Sequence, residues 1–132
     1  MVDSPGDSEP DEIANAVFRA LSNTERRYVL YYLRARRAVD VDELATVVAG
    51  WLGARESDQG IVDPEDRKRV RIRLYHDHLP RLADEGFVRY DRERVEVELE
   101  PVPETLDTVL DLSLQHERDA TVGYDPGPNA GR

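Results

Sequence analysis

A chain of 132 residues has room for one independent core, and Asp plus Glu outnumber Lys plus Arg by 28 to 18, giving a net charge of −10. The absence of cysteine excludes disulfides, thiolate metal sites, iron–sulfur clusters and cysteine nucleophiles. No stretch approaches the roughly 18 apolar residues of a membrane span, and the opening MVDSPGDSEPDE lacks the positive start and apolar centre of a secretion signal, so a cytoplasmic protein with no membrane partner is expected.

In chain order, residues 1–10 read as a disordered acidic tail, because they carry acids, Pro and Gly with almost no apolar side chain. A first helix is predicted from about Asp11 to Leu21, with Ile13, Ala16, Val17, Ala20 and Leu21 on one face. Ser22 or Asn23 caps a second, from about Thr24 to Arg36, whose apolar block from Tyr28 to Leu33 is too wide for a surface helix and marks it as central. After Asp40, Leu44, Val47, Val48, Trp51 and Leu52 keep the helical period to a stop at Gly53. Residues 53–63 read as a loop, and Asp63 followed by Pro64 is the cap and first turn of a fourth helix reaching Glu85 and ending on Gly86, with a kink expected near 76–80 where Pro80 removes a hydrogen bond. Phe87–Tyr90 and Val95–Leu99 alternate at the strand period about the turn Asp91-Arg92-Glu93-Arg94, a hairpin. A last helix from about Glu104 to His116 offers Leu106, Val109, Leu110 and Leu114 to its own core or to a second subunit, and residues 118–132 form a disordered tail.

Lys68 is the only lysine. A carboxylate-rich, lysine-poor surface resembles proteins of halophilic archaea, where a Debye length of about 3 Å at 1 M salt suppresses self-repulsion. Against such a background overall acidity says little about nucleic acid, and local departures from it carry the information.

Three helices, a longer basic helix and a hairpin follow the order of a winged helix, mainly α with a small β-hairpin and here an extra C-terminal helix over residues 11–117. ALSNTERRYVLYYL at 20–33, VDVDELATVVA at 39–49 and HLPRLADEGFVRYDRERVEVEL at 78–99 resemble ArsR-type winged helix-turn-helix regulators. ALSNTERR together with RKRVRIRLYHDHLPRLADEGFVRYD resembles more closely a haloarchaeal winged-helix domain family of unassigned function. The resemblance implies a DNA-binding fold and supplies neither ligand nor catalytic residue. One departure stands out: a helix-turn-helix joins its helices by three or four residues, yet about eleven separate Leu52 from Pro64.

Arg67, Lys68, Arg69, Arg71 and Arg73 place five cations in seven positions of an otherwise acidic chain. At 100° per residue Val70, Leu74, Tyr75, His78, Leu79 and Leu82 fall on a buried arc, with Arg69, Arg73, His76 and Asp77 opposite. Such a face fits duplex DNA, since guanidinium groups bond guanine bidentately or neutralise phosphate. Arg69, Arg73 and His76 are thus expected to face the groove, Arg67, Lys68 and Arg71 to touch phosphate, and Arg92 and Arg94 to extend the contact from the wing. The plainer reading is that these cations solvate the helix and pair with Glu65, Asp66 or Asp77.

His76 and His78 lie about 200° apart on a helix and do not share a metal, so no metal or other cofactor is expected. Tyr28, Tyr31, Tyr32, Trp51 and Tyr75 sit among aliphatics at helical spacing and read as core, and His116 reads as a complement to the helix dipole. No catalytic motif is present, which leaves two expectations: a transcriptional regulator binding double-stranded DNA as a homodimer through its first and last helices, or a winged-helix module for a protein partner.

Overall fold

The computed structural model describes residues 5–56 and 63–120, with side chains over 11–55 and 63–117. Residues 1–4 at the start of the expected N-terminal tail, 121–132, which make up most of the expected C-terminal one, and 57–62, the middle of the expected loop, lie outside the described residues. The elements are α1 Pro5–Leu21, α2 Thr24–Arg36, β1 Ala38–Asp40, α3 Val41–Glu56, α4 Pro64–Arg73, a π-helical turn Leu74–His78, α5 Leu79–Asp84, β2 Val88–Asp91, β3 Glu96–Leu99 and α6 Glu104–Ala120. The fold is mainly helical with a small antiparallel sheet, a winged-helix-like architecture carrying an added C-terminal helix.

Tyr28 to Leu33 are all buried, which makes α2 the centre of the molecule. Asn23 caps it, its Oδ1 accepting from the Arg26 amide at 3.1 Å. Around it close Val17 and Ala20 of α1, Leu44, Ala45 and Val48 of α3, Val70, Leu74, Leu79 and Leu82 of the long helix, and Leu106 and Leu110 of α6. The last helix therefore spends its stripe on its own core. Polar ties reinforce it: Arg27 and the Tyr31 hydroxyl both donate to Glu117, and Arg34 reaches Asp107 and Asp111. Burial, with Glu117 beside it, pushes the Tyr31 phenol up from its ordinary range.

Three local features differ from the sequence reading. β1 was not foreseen; only Val39 of its three residues is buried, so no period is visible, and it forms because Arg37 turns the chain at φ 74°. β1 pairs antiparallel with β3, placing β3 at the centre of the order β1-β3-β2. α3 runs through Gly53 to Glu56, because a single helical glycine costs only about 1 kcal/mol and Arg55 donates to Thr24 on α2 at 3.3 Å. The two terminal helices also extend further outward than their apolar periods, to Pro5 and Ala120.

Pro80 does not break the fourth helix. The turn ahead of it widens, the Leu79 amide donating to the carbonyl of Leu74 five residues back, so the ring is accommodated within a continuous helix from Pro64 to Asp84. Gly86 ends it at φ 84°, a left-handed conformation suited to glycine.

Candidate nucleic-acid interface

Asp63 starts the basic helix by accepting from the Glu65 amide at 3.0 Å, with Pro64 in its first turn. Val70 and Leu74 bury the inner face against α3 and α2, leaving Arg67, Lys68, Arg69, Ile72, Arg73 and His76 exposed and Arg71 half-buried. α3 packs on α4 more extensively than any other pair of elements, so the two helices form the expected unit despite their long connection.

Three of the five cations have carboxylate partners. Arg69 pairs with Asp66 at 3.2 Å one turn back, Arg71 with Asp42 in the first turn of α3, and Arg73 with Glu25. An unneutralised strip of five charges is therefore not what the helix presents. Arg67 and Lys68 make no ion pair among the described residues. The local pair was visible in sequence, whereas Asp42 and Glu25 come from other helices and only tertiary structure brings them in.

The three pairs are unequal. Arg69–Asp66 and Arg71–Asp42 lie in water, where such pairs contribute about 0.2–1 kcal/mol, so either arginine can exchange its carboxylate for phosphate at small cost. Arg73 is held differently: its Nε sits 2.9 Å from Glu25 Oε1 and its Nη2 2.6 Å from Oε2, a two-pronged bond to a carboxylate only 14% exposed. Glu25 also accepts from His78 Nε2 at 2.8 Å. Burial by itself raises the Glu25 carboxyl, but the hydrogen bonds from His78 and Arg73, with the charge of Arg73, outweigh it and bring it down to about 2. Arg73 thus ties the basic helix to α2 through Glu25.

His76 and His78 separate as the helical angle requires. His76 is exposed, whereas His78 is buried, with Arg26 Nη1 3.4 Å from its Nδ1 and Asp77 Oδ2 at 3.5 Å. Asp77, assigned to the outer arc, is half-buried and is also bonded to Arg81 one turn on.

The wing strands pair in the register Val88↔Leu99, Arg89↔Glu98, Tyr90↔Val97 and Asp91↔Glu96. Asp91 Oδ1 accepts from the amides of Glu93 and Arg94 at 3.0 and 3.1 Å, fixing the tip, and Arg89 spends its charge on Glu98 across the ladder. Arg94 is exposed and makes no ion pair among the described residues. Arg92 folds back over the Tyr75 and Tyr90 rings, at 5.5 and 5.6 Å from their centroids, and so joins the wing to the π turn. Tyr75, expected in the core, is half-buried and edge-on to Tyr90 at 6.0 Å. Tyr28 and Tyr32 do pack edge-on against Trp51, as core aromatics.

The description "Domain of unknown function (DUF7344)" matches residues 18–98, more than half of the chain. The chain belongs to the DUF7344 family. The DUF7344 segment holds the end of α1, the helix–wing unit and nearly all of the sheet, with α6 outside it. No curated protein and no solved structure matches the chain. Among the described residues no helix is long and apolar enough to cross a membrane.

Proposed function

We propose that the protein is a cytoplasmic, non-enzymatic winged-helix regulator of transcription that binds double-stranded DNA as a homodimer. The observation that carries this reading is that, among the described residues, Arg67 and Lys68 have no carboxylate partner, followed on the same helix by exposed Ile72 and His76, and that Arg92 and Arg94 of the adjoining wing likewise have none, in a chain of net charge −10. Carboxylates outnumber cations enough to neutralise every arginine, so cations left unpaired on one helix and its adjoining wing fit a polyanionic partner. Arg69 and Arg71 join the contact by exchanging carboxylate for phosphate, and Arg73 is omitted because Glu25 holds it. The winged-helix-like order and the resemblance to haloarchaeal and ArsR-type domains support the same reading, as fold-level analogy. Phe18 on α1 and Leu112 on α6, 67% and 64% exposed, supply apolar contacts for a dimer through the terminal helices.

The test is a mobility shift on random-sequence duplex over a series of KCl concentrations, with wild type and an Arg67→Ala, Lys68→Ala variant. Loss of two phosphate contacts lowers the slope of log affinity against log salt by about 2. Equal affinity and slope in the two proteins would remove this face from consideration.

A second reading, a winged-helix module for a protein partner, is favoured by the neutralisation of Arg69, Arg71 and Arg73. It predicts that Phe18→Ser or Leu112→Ser abolishes partner capture while the Arg67→Ala, Lys68→Ala variant leaves it intact.

A further inference from the structure

Among the described residues, the one buried side-chain polar atom without a hydrogen-bond partner is the hydroxyl of Tyr90, at the junction of the long helix and the wing. Burial raises its phenol, which therefore remains a neutral donor at any physiological pH. Leaving such a group unsatisfied is destabilising, so a site that keeps one invites a functional reason. Arg92 from the wing tip lies over the Tyr90 ring, 5.6 Å from its centroid, and the charges of Arg92 and of Arg71 on α4 both act on the phenol. Arg92 is positioned over both tyrosine rings, with no carboxylate holding it among the described residues. Among the described residues Arg71 is tethered only by its pair with Asp42.

The geometry points to a phosphate site at this junction, with Arg92 and Arg71 as its charged donors and the Tyr90 hydroxyl as its neutral one. Stacking over the tyrosines leaves the N–H groups of the Arg92 guanidinium free to donate to an anion. Drawn onto phosphate oxygen, Arg92 moves off the Tyr90 ring and opens the hydroxyl to the same anion. Arg71 exchanges Asp42 for another oxygen. All three groups are donors, which suits a ligand that only accepts. The phosphate is either a diester of the DNA backbone, in which case the inference rests on the DNA reading, or a free phosphate, in which case it does not.

The experiment compares full-length wild type, Tyr90→Phe and Arg92→Gln in three measurements: the thermal midpoint, the affinity for a fluorescent random-sequence 20-base-pair duplex, and the midpoint shift caused by inorganic phosphate against KCl of equal ionic strength. Tyr90→Phe removes only an unpaired hydroxyl, so its midpoint should equal or exceed that of wild type. Its duplex affinity should nevertheless fall about tenfold, the size of a lost hydrogen bond to a charged acceptor, and that of Arg92→Gln at least as far. Duplex binding by wild type that neither substitution weakens overturns the site while leaving the DNA reading standing. No duplex binding, with a phosphate-induced shift that Tyr90→Phe abolishes, supports the site with free phosphate as ligand and ends the DNA reading. Wild type that responds to neither probe overturns both.

Discussion

Replacing Glu25 by Gln tests whether the carboxylate joining α2 to the basic helix is as important as its geometry implies. The carboxyl titrates at about 2 instead of 4.5. At about 1.4 kcal/mol per pH unit this depression corresponds to about 3 kcal/mol. Part of the Arg73 side chain stays in water, at 44% exposure, which brings the contribution to about 2 kcal/mol. Because the folded value lies below the unfolded one, the contribution is fully present above about pH 4.5 and is lost as pH falls toward 2. Urea unfolding followed by circular dichroism, at constant KCl, should show Glu25→Gln about 2 kcal/mol less stable at pH 7, with the gap closing between pH 4.5 and 2. A gap that is absent at pH 7, or that stays constant down to pH 2.5, would refute the assignment of Glu25 as the ionised partner of Arg73 and His78.

Two further substitutions test the fold. Arg37→Gly relieves a non-glycine residue at φ 74° that is exposed and makes no ion pair among the described residues. It should stabilise by about 1 kcal/mol, seen as a rise of several degrees in Tm; a fall would mean that the turn after α2 is not strained. Leu106→Ala empties a site with no exposure at all and should cost about 2–5 kcal/mol, whereas an effect below about 1 kcal/mol would show that α6 is not part of the core.

The large elements were legible because their signals are local and repeated. Tyr28 to Leu33 announced a buried α2, Asn23, Asp63 and Gly86 marked helix ends by their own side chains or lack of one, and the alternation at 87–99 gave the hairpin. β1 escaped because three residues cannot display a period, and its formation depends on β3 lying sixty residues away in the chain. The π turn was anticipated only as a disturbance at Pro80: the steric conflict is readable, but whether the backbone bends or widens is decided by the packing of Leu74, His78 and Leu79.

Within the candidate site, residue type and helical angle located the exposed cations but not their neighbours. Arg69 and Asp66 share one helix and their pairing was foreseeable, whereas Arg71 and Arg73 are claimed by Asp42 and Glu25 from α3 and α2, at sequence separations of 29 and 48. The Tyr75–Tyr90–Arg92 junction was invisible for the same reason, since it joins a helix to a wing through contacts that no one-dimensional pattern encodes.

Selection of bound duplexes from a random pool in multi-molar KCl, run in parallel on wild type and the Arg67→Ala, Lys68→Ala variant, probes the proposed function most directly. Wild type should enrich a reproducible, twofold-symmetric sequence, and the variant should enrich it weakly or not at all. A wild-type pool no different from the starting pool, or equal enrichment by both proteins, contradicts a DNA-binding surface built on this helix and wing.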